Sequence, residues 1–218
     1  LLSHWHEDHI SGNRVLKDVE FYAHKKDKAI IENIEKMFEY YGLEGESIEK
    51  MFQQLIEVNG IQDTKVNLLI SDGKVFNIEN ELELEVLHTP GHTAGHCSFI
   101  EKKSKIAFFS DIDLTSFPFY GSIDASVIEF LKSIEKLMNI DIEICTSSHR
   151  QILRGKSNIL EGLKQYEDII LSRESHILSY ISEVHPKTSA DLKKKNIIYN
   201  KYGRFKEYEY IAEKIMIQ

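Results

Sequence analysis

The chain has 218 residues, of which 42% are hydrophobic and 28% charged, and its formal net charge at pH 7 is −8. This composition is typical of a globular core and excludes a disordered chain, and no apolar run approaches the roughly 20 residues of a membrane helix. Residues 1–150 carry 15 Lys and Arg against 26 Asp and Glu, whereas residues 151–218 carry 12 against 9. The acidic first part disfavours a nucleic-acid partner, and the basic excess of the last part leaves that partner open.

Helices are predicted in two stretches of the first sixty residues, where apolar residues recur at helical spacing. The first stretch ends at Gly42 and the second near Gly60. We expect both helices to pack on the core, with a lid over a site as the alternative. Their apolar residues are Ile30, Ile34, Met37, Phe38 and Tyr41 in the first stretch and Ile48, Met51, Phe52 and Leu55 in the second.

Strands are predicted in the middle of the chain. At 82–87, leucine and valine alternate with glutamate, which indicates a strand with one solvated face. Short apolar runs at 97–100, 105–109 and 140–145 indicate further strands. Helical spacing within 127–138 predicts an amphipathic helix between the last two of these runs.

The last part of the chain is predicted to be helical. Apolar residues follow one side of 157–182, residues 188–191 have the spacing of a capping box, and a final helix is predicted around Tyr208. Strands separated by helices and followed by such a tail predict an α/β fold. We place a catalytic domain at 1–156 and a helical appendage at 157–218.

The two cysteines, Cys97 and Cys145, lie in separate apolar runs, and no signal-peptide pattern is present. Isolated cysteines of this kind indicate small buried hydrophobic residues in a reducing compartment. We therefore expect a cytoplasmic location and no membrane partner.

The richest motif is His4-Trp5-His6-Glu7-Asp8-His9, in which three of the ten histidines of the chain fall within six residues. Imidazole and carboxylate groups are suitable ligands for zinc, and also for iron or manganese. His4 and His6 can reach one ion, and Asp8 and His9 can face a second position. Apolar residues flank the motif, as expected for a loop that emerges from a core, and we therefore predict a metal site.

Three further segments that carry His or Asp each follow a predicted strand. The segment His88-Thr89-Pro90-Gly91-His92-Thr93-Ala94-Gly95-His96 follows the strand at 82–87, and its Pro-Gly pair predicts a turn. Spacing alone does not decide which of its histidines binds metal. Ser110-Asp111-Ile112-Asp113 follows the apolar run at 105–109, and Ser147-Ser148-His149-Arg150 follows the run at 140–145. Residues 1–3, before the first motif, are also predicted to end a strand, so four strand ends carry His or Asp, as a metal site at one rim of a sheet requires.

These elements resemble the metallo-β-lactamase superfamily over essentially all of residues 1–150. The patterns that carry the resemblance are H-x-H-x-D-H, T-P-G-H-T-x-G-H, an Asp after a strand and a later His after a strand. The resemblance implies an αββα sandwich that binds two divalent metal ions, with zinc favoured and iron or manganese as alternatives. It selects His92 and leaves His88 and His96 as structural or supporting histidines. Carried over by position, the first metal would be bound by His4, His6 and His92, the second by Asp8, His9 and His149, and Asp111 would bridge both.

The chain departs from the superfamily pattern around the site. Ser110 stands where a glycine usually precedes the bridging aspartate. Ser147, Ser148 and Arg150 surround the last ligand, where the superfamily usually has Pro-Gly before it and Gly after it. The resemblance also implies strands before the first motif. Because the chain begins without Met at Leu1, we expect the sandwich to be N-terminally incomplete here.

The tail carries a weaker resemblance to the winged-helix appendage of some superfamily members, including endoribonucleases. Lys193, Lys194 and Lys195 would lie in this appendage, either as a solvated face or as a nucleic-acid patch. The pattern that carries the resemblance is Tyr166, Arg173-Glu174, Ile177-Leu178, Thr188, Leu192 and Tyr199.

The ligand set implies a hydrolase. Two cations about 3.5–4 Å apart can share a water and lower its pKa toward about 7, which gives a metal-bound hydroxide near neutral pH. Asp8 is the candidate catalytic residue, because it can orient this nucleophile and receive its proton. The T-P-G-H-T-x-G-H element resembles glyoxalase II, so we predict hydrolysis of a small ester, thioester or lactone. The expected partners are a small-molecule substrate and, optionally, a second copy of the chain.

Three other functions stay open at this point. A metal-dependent nuclease would cleave RNA or DNA and would hold it with the basic tail. A di-iron redox protein is disfavoured because such relatives typically place Glu where His6 stands, and no flavin-binding module is visible. A purely structural metal site is disfavoured because it keeps no open coordination position, which seven ligands around two metals would provide.

Overall fold

The structure is a computed structural model of mixed α and β composition, as the sequence predicts. It describes residues 1–78, 82–184, 188–192, 197–199, 201–203 and 205–217. Within these ranges, no helix is both long enough and apolar enough to cross a membrane. Lys193, Lys194 and Lys195, the proposed nucleic-acid patch, lie outside the described residues.

Strands form two sheets in the described part of the chain. In chain order they are β1 (Phe21–His24), β2 (Val66–Ile70), β3 (Val75–Ile78), β4 (Leu82–His88), β5 (Cys97–Glu101), β6 (Ile106–Phe108), β7 (Ile144–Thr146) and β8 (Leu153–Arg154). β1 and β2 pair in parallel, and β3 to β8 form a six-stranded sheet in sequence order. Its pairs are antiparallel except β6 and β7, which are parallel.

The strands predicted at 82–87, 97–100 and 105–109 are confirmed. The strand predicted at 140–145 begins only at Ile144, because Ile140 still donates its backbone N–H to Leu137, at the end of the preceding helix. The first three strands of the structure are not predicted from the sequence.

Helices connect and cover these strands. In chain order they are α1 (Glu7–Ile10), a 3₁₀ helix (Ser11–Val15), α2 (Lys28–Ile31), α3 (Lys36–Tyr40), α4 (Glu46–Asn59), α5 (Val127–Met138), α6 (Lys156–Val184), α7 (Ser189–Leu192) and α8 (Lys206–Ile217). Predictions are confirmed for α4, α5, α6, α7 and α8. At the start of α7, the backbone N–H and hydroxyl of Thr188 donate to the Asp191 carboxylate, as the capping-box spacing suggests.

The prediction of a single helix that ends at Gly42 is wrong, because this stretch forms two separate short helices, α2 and α3. The backbone N–H of Ile34 donates to the Asp63 carboxylate at 2.9 Å, and that of Glu35 donates to the Asn33 side chain at 3.1 Å. These side-chain acceptors replace the carbonyl groups that a continuous helix would use. The apolar residues therefore keep a helical spacing although the helix is interrupted between α2 and α3.

The largest core lies between the six-stranded sheet, α5 and α6. α5 begins where the Ser126 hydroxyl accepts the Glu129 backbone N–H, and it buries Phe130, Ile134 and Leu137 along one side. α6 contributes its own buried apolar side chains to this core, so the helical tail packs directly on the sheet. The domain boundary at residue 156 stays a prediction.

A second core surrounds the first histidine motif. Trp5 and Ile10 are buried there against Ile30 and Met37 of α2 and α3, and against Phe52 of α4. The prediction that these helices pack on the core is therefore confirmed. Buried side chains on both sides of the motif hold its loop in place.

Gly91 is a point of close approach between the T-P-G-H loop and α5. Its backbone φ is +133°, and an added Cβ would overlap the backbone N and Cα of Phe130. Its carbonyl also accepts the backbone N–H of Ser126 at 2.9 Å, directly before α5. A side chain at this position would push α5 away from the loop that carries His92.

We predict that Gly91→Ala destabilises the protein more than Gly45→Ala. Gly45 is a matched control, because its φ of +116° is also positive but nothing lies within 4 Å of an added Cβ. Backbone strain of about 1–3 kcal/mol applies to both variants. Steric overlap adds about 2 kcal/mol more for Gly91→Ala. Urea unfolding measures the difference, and equal losses would contradict the close approach.

Candidate metal centre

The predicted site residues lie at one rim of the six-stranded sheet. β4, β6 and β7 run in the same direction, so their carboxyl ends lie together, directly before the loops of His92, Asp111 and His149. The first motif joins this rim because the backbone N–H of Cys97, at the start of β5, donates to the Ser3 carbonyl at 2.9 Å. The structure therefore brings all four sequence segments together.

A buried cluster contains four of the predicted ligands. Its potential ligand atoms all lie within 4.8 Å of one another. His92 Nε2 is 2.8 Å from His6 Nδ1 and 3.3 Å from Asp111 Oδ2. The members of the cluster are His4, His6, His92 and Asp111.

A second, more exposed cluster lies beside the first and consists of Asp8, His9 and His149. His149 Nε2 is 3.4 Å from both Asp8 Oδ2 and Asp111 Oδ2. His9 Nε2 is 3.0 Å from Asp111 Oδ1. The Asp111 carboxylate therefore lies between the two clusters and faces histidines of both.

Burial and mutual proximity control the protonation of these groups. Burial lowers the pKa of His4 and His6 well below its usual value, and the neighbouring histidines lower it further, so both rings are neutral at pH 7. Burial alone would raise the pKa of Asp111, but the facing histidines outweigh it and lower that pKa strongly. The Asp111 carboxylate raises the pKa of His149 to about 9. Neutral imidazoles and an ionised carboxylate are the forms that bind metal, so His4, His6 and Asp111 are already in these forms, whereas a cation that binds His149 would displace its proton.

Buried His6 Nε2 lacks a hydrogen-bond partner among the described residues, and the ion-paired atoms His9 Nε2 and Asp111 Oδ1 do not meet hydrogen-bond geometry. Buried polar atoms normally have a partner, so these atoms call for a group that satisfies them. A divalent cation fits, because imidazole nitrogen and carboxylate oxygen are its usual protein ligands. The residues present therefore suit a metal ion.

His92 is oriented toward the clusters by a backbone carbonyl. Its Nδ1–H donates to the carbonyl oxygen of Phe119 at 2.7 Å. Because a neutral imidazole carries one proton, this bond leaves Nε2 with a free lone pair on the side of His4 and His6. Such a bond is typical of metal-binding histidines.

His96 and His88 have other partners. His96 donates from Nδ1 to the Thr89 carbonyl at 2.9 Å, and its Nε2 accepts the backbone N–H of Asp111 at 3.1 Å. Burial lowers the pKa of His96 to about 3, which keeps this acceptor unprotonated. The ring of His88 stacks on His24 with 4.1 Å between centroids. Of the three histidines in the loop, His92 alone has a ring nitrogen in the clusters.

Ser110 explains why glycine is usual before the bridging aspartate. Its φ is +54°, in the left-handed region that glycine adopts with least strain. The Ser110 hydroxyl donates to Ser3 Oγ at 2.8 Å, and Ser3 Oγ lies 3.1 Å from His4 Nδ1 and 3.3 Å from His9 Nδ1. The serine thus gains a hydrogen bond that supports two predicted ligands.

Two buried residues of α6 support the site, and the sequence analysis assigns them no such role. The Tyr166 hydroxyl donates to the Asp111 carbonyl at 3.2 Å. The Arg173 guanidinium donates to the Pro118 carbonyl at 2.6 Å and lies over the Phe117 ring, 4.7 Å from its centroid. Pro118 directly precedes Phe119, whose carbonyl orients His92. A buried arginine on an otherwise apolar helix side is the signal that could have indicated this support.

A pocket of about 470 Å³ opens beside the two clusters. The helical tail supplies no predicted ligand but forms part of the pocket wall through Tyr199, Phe205, Tyr208 and Glu209. The remaining lining residues are His6, Glu7, Asp8, Tyr41, His92, Asp111, Asp113, Phe117, Phe119, His149 and Tyr166.

The sequence profile of the metallo-beta-lactamase superfamily matches residues 1–149. The chain belongs to this superfamily, whose members are metal-dependent, and the predicted family is confirmed. It is 30% identical over 122 residues to the hydroxyacylglutathione hydrolase GloC of Haemophilus influenzae, covering 51% of this chain and 48% of that protein. It is 27% identical over 146 residues to an uncharacterized protein of Aquifex aeolicus, covering 62% and 59%. The chain thus spans about half the length of these curated relatives.

Solved structures show the same fold. A metallo-beta-lactamase family protein of Thermus thermophilus superposes with a TM-score of 0.72 at 19% identity, over 97% of this chain and 71% of that one. A beta-lactamase domain protein of Burkholderia ambifaria gives a TM-score of 0.66 at 11% identity, over 99% and 66%. These likenesses confirm the predicted fold class, and the described part of the tail contains the helices α6, α7 and α8.

We predict that Arg173→Met lowers the free energy of unfolding by about 2–3 kcal/mol, because a charge-assisted hydrogen bond is lost and the Pro118 carbonyl loses this donor. Arg154→Met is the control, since Arg154 is exposed on β8, and it should change stability by no more than about 0.5 kcal/mol. Urea unfolding of both variants tests this. Similar small losses would contradict a supporting role for Arg173.

Proposed function

We propose that this chain is a hydrolase that uses two divalent metal ions, with zinc favoured over iron or manganese. The convergence of seven imidazole and carboxylate side chains into two clusters that share Asp111 carries this proposal. When bound, two such cations acidify a water toward a pKa of about 7 and polarise the substrate carbonyl. In this proposal the first metal is held by His4, His6 and His92, the second by Asp8, His9 and His149, and Asp111 bridges them.

Asp8 is suited to act on the attacking water as well as on the metal. Its side chain is 52% exposed, lines the pocket and lies 3.4 Å from His149 Nε2. A carboxylate at the mouth of the site can accept a hydrogen bond from water and then its proton. Asp8 is therefore our candidate for the general base.

A small ester, thioester or lactone is the substrate class that we propose. The pocket volume of about 470 Å³ lies within the usual range for small-molecule sites. The relative from Haemophilus influenzae is named for the hydrolysis of a thioester, which supports this class. The expected compartment and the optional self-association stay predictions.

The nuclease alternative gains no support from the described pocket. Its described lining contains five carboxylate residues and no Lys or Arg, whereas a phosphate backbone is bound mainly by such cations. The three lysines proposed to bind nucleic acid lie outside the described residues. Small-molecule hydrolysis is therefore the function that we favour.

Metal content tests the ligand set directly. We predict close to two zinc ions per purified chain by elemental analysis, and most of this metal should be lost in Asp111→Ala. His96→Ala removes only a supporting hydrogen bond, so its affinity should fall by about 10–100-fold while the site still fills at saturating zinc. If His96→Ala abolishes binding and His92→Ala retains it, our choice within the loop is wrong.

A second test separates the two reactions. We predict metal-dependent hydrolysis of at least one member of a thioester and lactone panel, unchanged when Lys193, Lys194 and Lys195 are all replaced by Gln. A nuclease would instead cleave labelled single-stranded RNA, and the triple variant would weaken RNA binding by about tenfold and flatten its salt dependence. RNA cleavage without any ester turnover would overturn our ranking.

A further inference from the structure

The pocket lining includes five aromatic rings that contact one another in two groups. Ring centroids lie 4.9 Å apart for Phe117 and Tyr199, 6.4 Å for Phe119 and Tyr208, and 5.5 Å for Tyr208 and Tyr41. We call these five residues the aromatic wall. It combines one ring from the end of the α3 segment, two from the loop after Asp111 and two from the tail. Rings in contact offer a bound ligand an extended apolar surface.

Among the described residues that line the pocket, the charged side chains outside the proposed ligand set are negative. Glu209 lies on the tail side of the pocket, and Asp113 lies two residues after the proposed bridging ligand. Neither belongs to the proposed ligand set, so bound metal does not offset their charge by coordination. Arg173, the nearby cation, is buried and its guanidinium is directed to the Pro118 carbonyl.

This combination is unfavourable for a glutathione thioester. The glutathione leaving group carries two carboxylates and one ammonium group, so its charge is net negative. Its carboxylates would lose hydration in the pocket without gaining a Lys or Arg partner from the described lining. A neutral ring or alkyl chain would lose little on leaving water and would gain contact with the aromatic wall. The pocket thus combines attraction for apolar groups with repulsion of anions, and both increase selectivity.

We propose that this pocket takes acyl substrates with a neutral, apolar leaving group and discriminates against S-acylglutathiones. This proposal rests on the proposed hydrolase activity and specifies its substrate. Tyr208 is the central specificity residue, because its ring contacts both Tyr41 and Phe119. The chain would therefore differ in substrate from the glutathione-specific relative that it resembles in sequence.

The experiment compares two thioesters with the same acyl group, S-benzyl thioacetate and S-acetylglutathione, on the zinc-loaded protein. We expect kcat/KM to be at least about tenfold higher for the benzyl compound, with the difference mainly in KM. Equal values, or a preference for S-acetylglutathione, would overturn the proposal.

Variants test whether the aromatic wall causes the preference. Tyr208→Ala should lower the ratio of the two kcat/KM values by about fivefold or more. Tyr210→Ala is the matched control, because Tyr210 lies on the same helix outside the pocket lining, and it should leave the ratio unchanged. If Tyr208→Ala does not fold, as judged by circular dichroism, Phe117→Leu replaces it. A ratio that no wall variant alters would contradict the proposal.

A binding measurement separates failure of this proposal from failure of the proposed function. Benzylthioacetone and S-acetonylglutathione are ketones that mimic the two thioesters and cannot be hydrolysed. Calorimetry should show at least about tenfold tighter binding of the benzyl ketone. If neither thioester is hydrolysed, the proposed activity fails, and the binding order alone then supports or overturns the selectivity.

Discussion

Asp111 is the residue on which the rest of the site depends, because its backbone and its carboxylate are contacted by different parts of the chain. Its backbone N–H donates to His96 of the T-P-G-H loop, and its carbonyl accepts from Tyr166 of α6. Its carboxylate faces histidines from three separate loops, including His9 and His149. The contacts of Asp111 therefore require the sheet, the loops and α6 to hold fixed positions relative to one another. The position of Asp111 therefore depends on the packing of the sheet, the T-P-G-H loop and α6.

The sequence predicts which candidate ligand residues lie together better than it predicts the residues that support them. The H-x-H-x-D-H motif is local, so its chemistry is visible in a few consecutive residues, and strands ending in His or Asp place the other ligands. The break between α2 and α3 depends on Asp63, which lies about thirty residues away in sequence and leaves no mark in the helical spacing. Tyr166 and Arg173 occupy buried helical positions, and only the tertiary structure shows that they bond to the loops of the site. Hydrogen bonds between residues far apart in sequence are the part of the structure that the spacing of residue types does not predict.

The departures from the superfamily pattern form hydrogen bonds of their own around the last proposed ligand. The Ser147 hydroxyl donates to the Asp113 carbonyl at 3.1 Å, and the Arg150 guanidinium donates to the Leu114 carbonyl. The backbone N–H of Ser148 donates to the Ser110 carbonyl at 3.1 Å. Polar side chains thus tie the His149 loop to the Asp111 loop where the usual pattern has residues without such side chains. The consequence is a differently built rim around a set of proposed ligands that matches the superfamily pattern.

Different helices of the tail support the site and line the pocket, and this separation affects how proteins of this family can change substrate. α6 carries Tyr166 and Arg173, so exchanging it would disturb the loops of Asp111 and His92. α8 carries Tyr208 and Glu209, which line the pocket and bond to none of the proposed ligands. Drift or recombination confined to the last part of the chain could therefore recruit a new substrate while inheriting an intact metal centre.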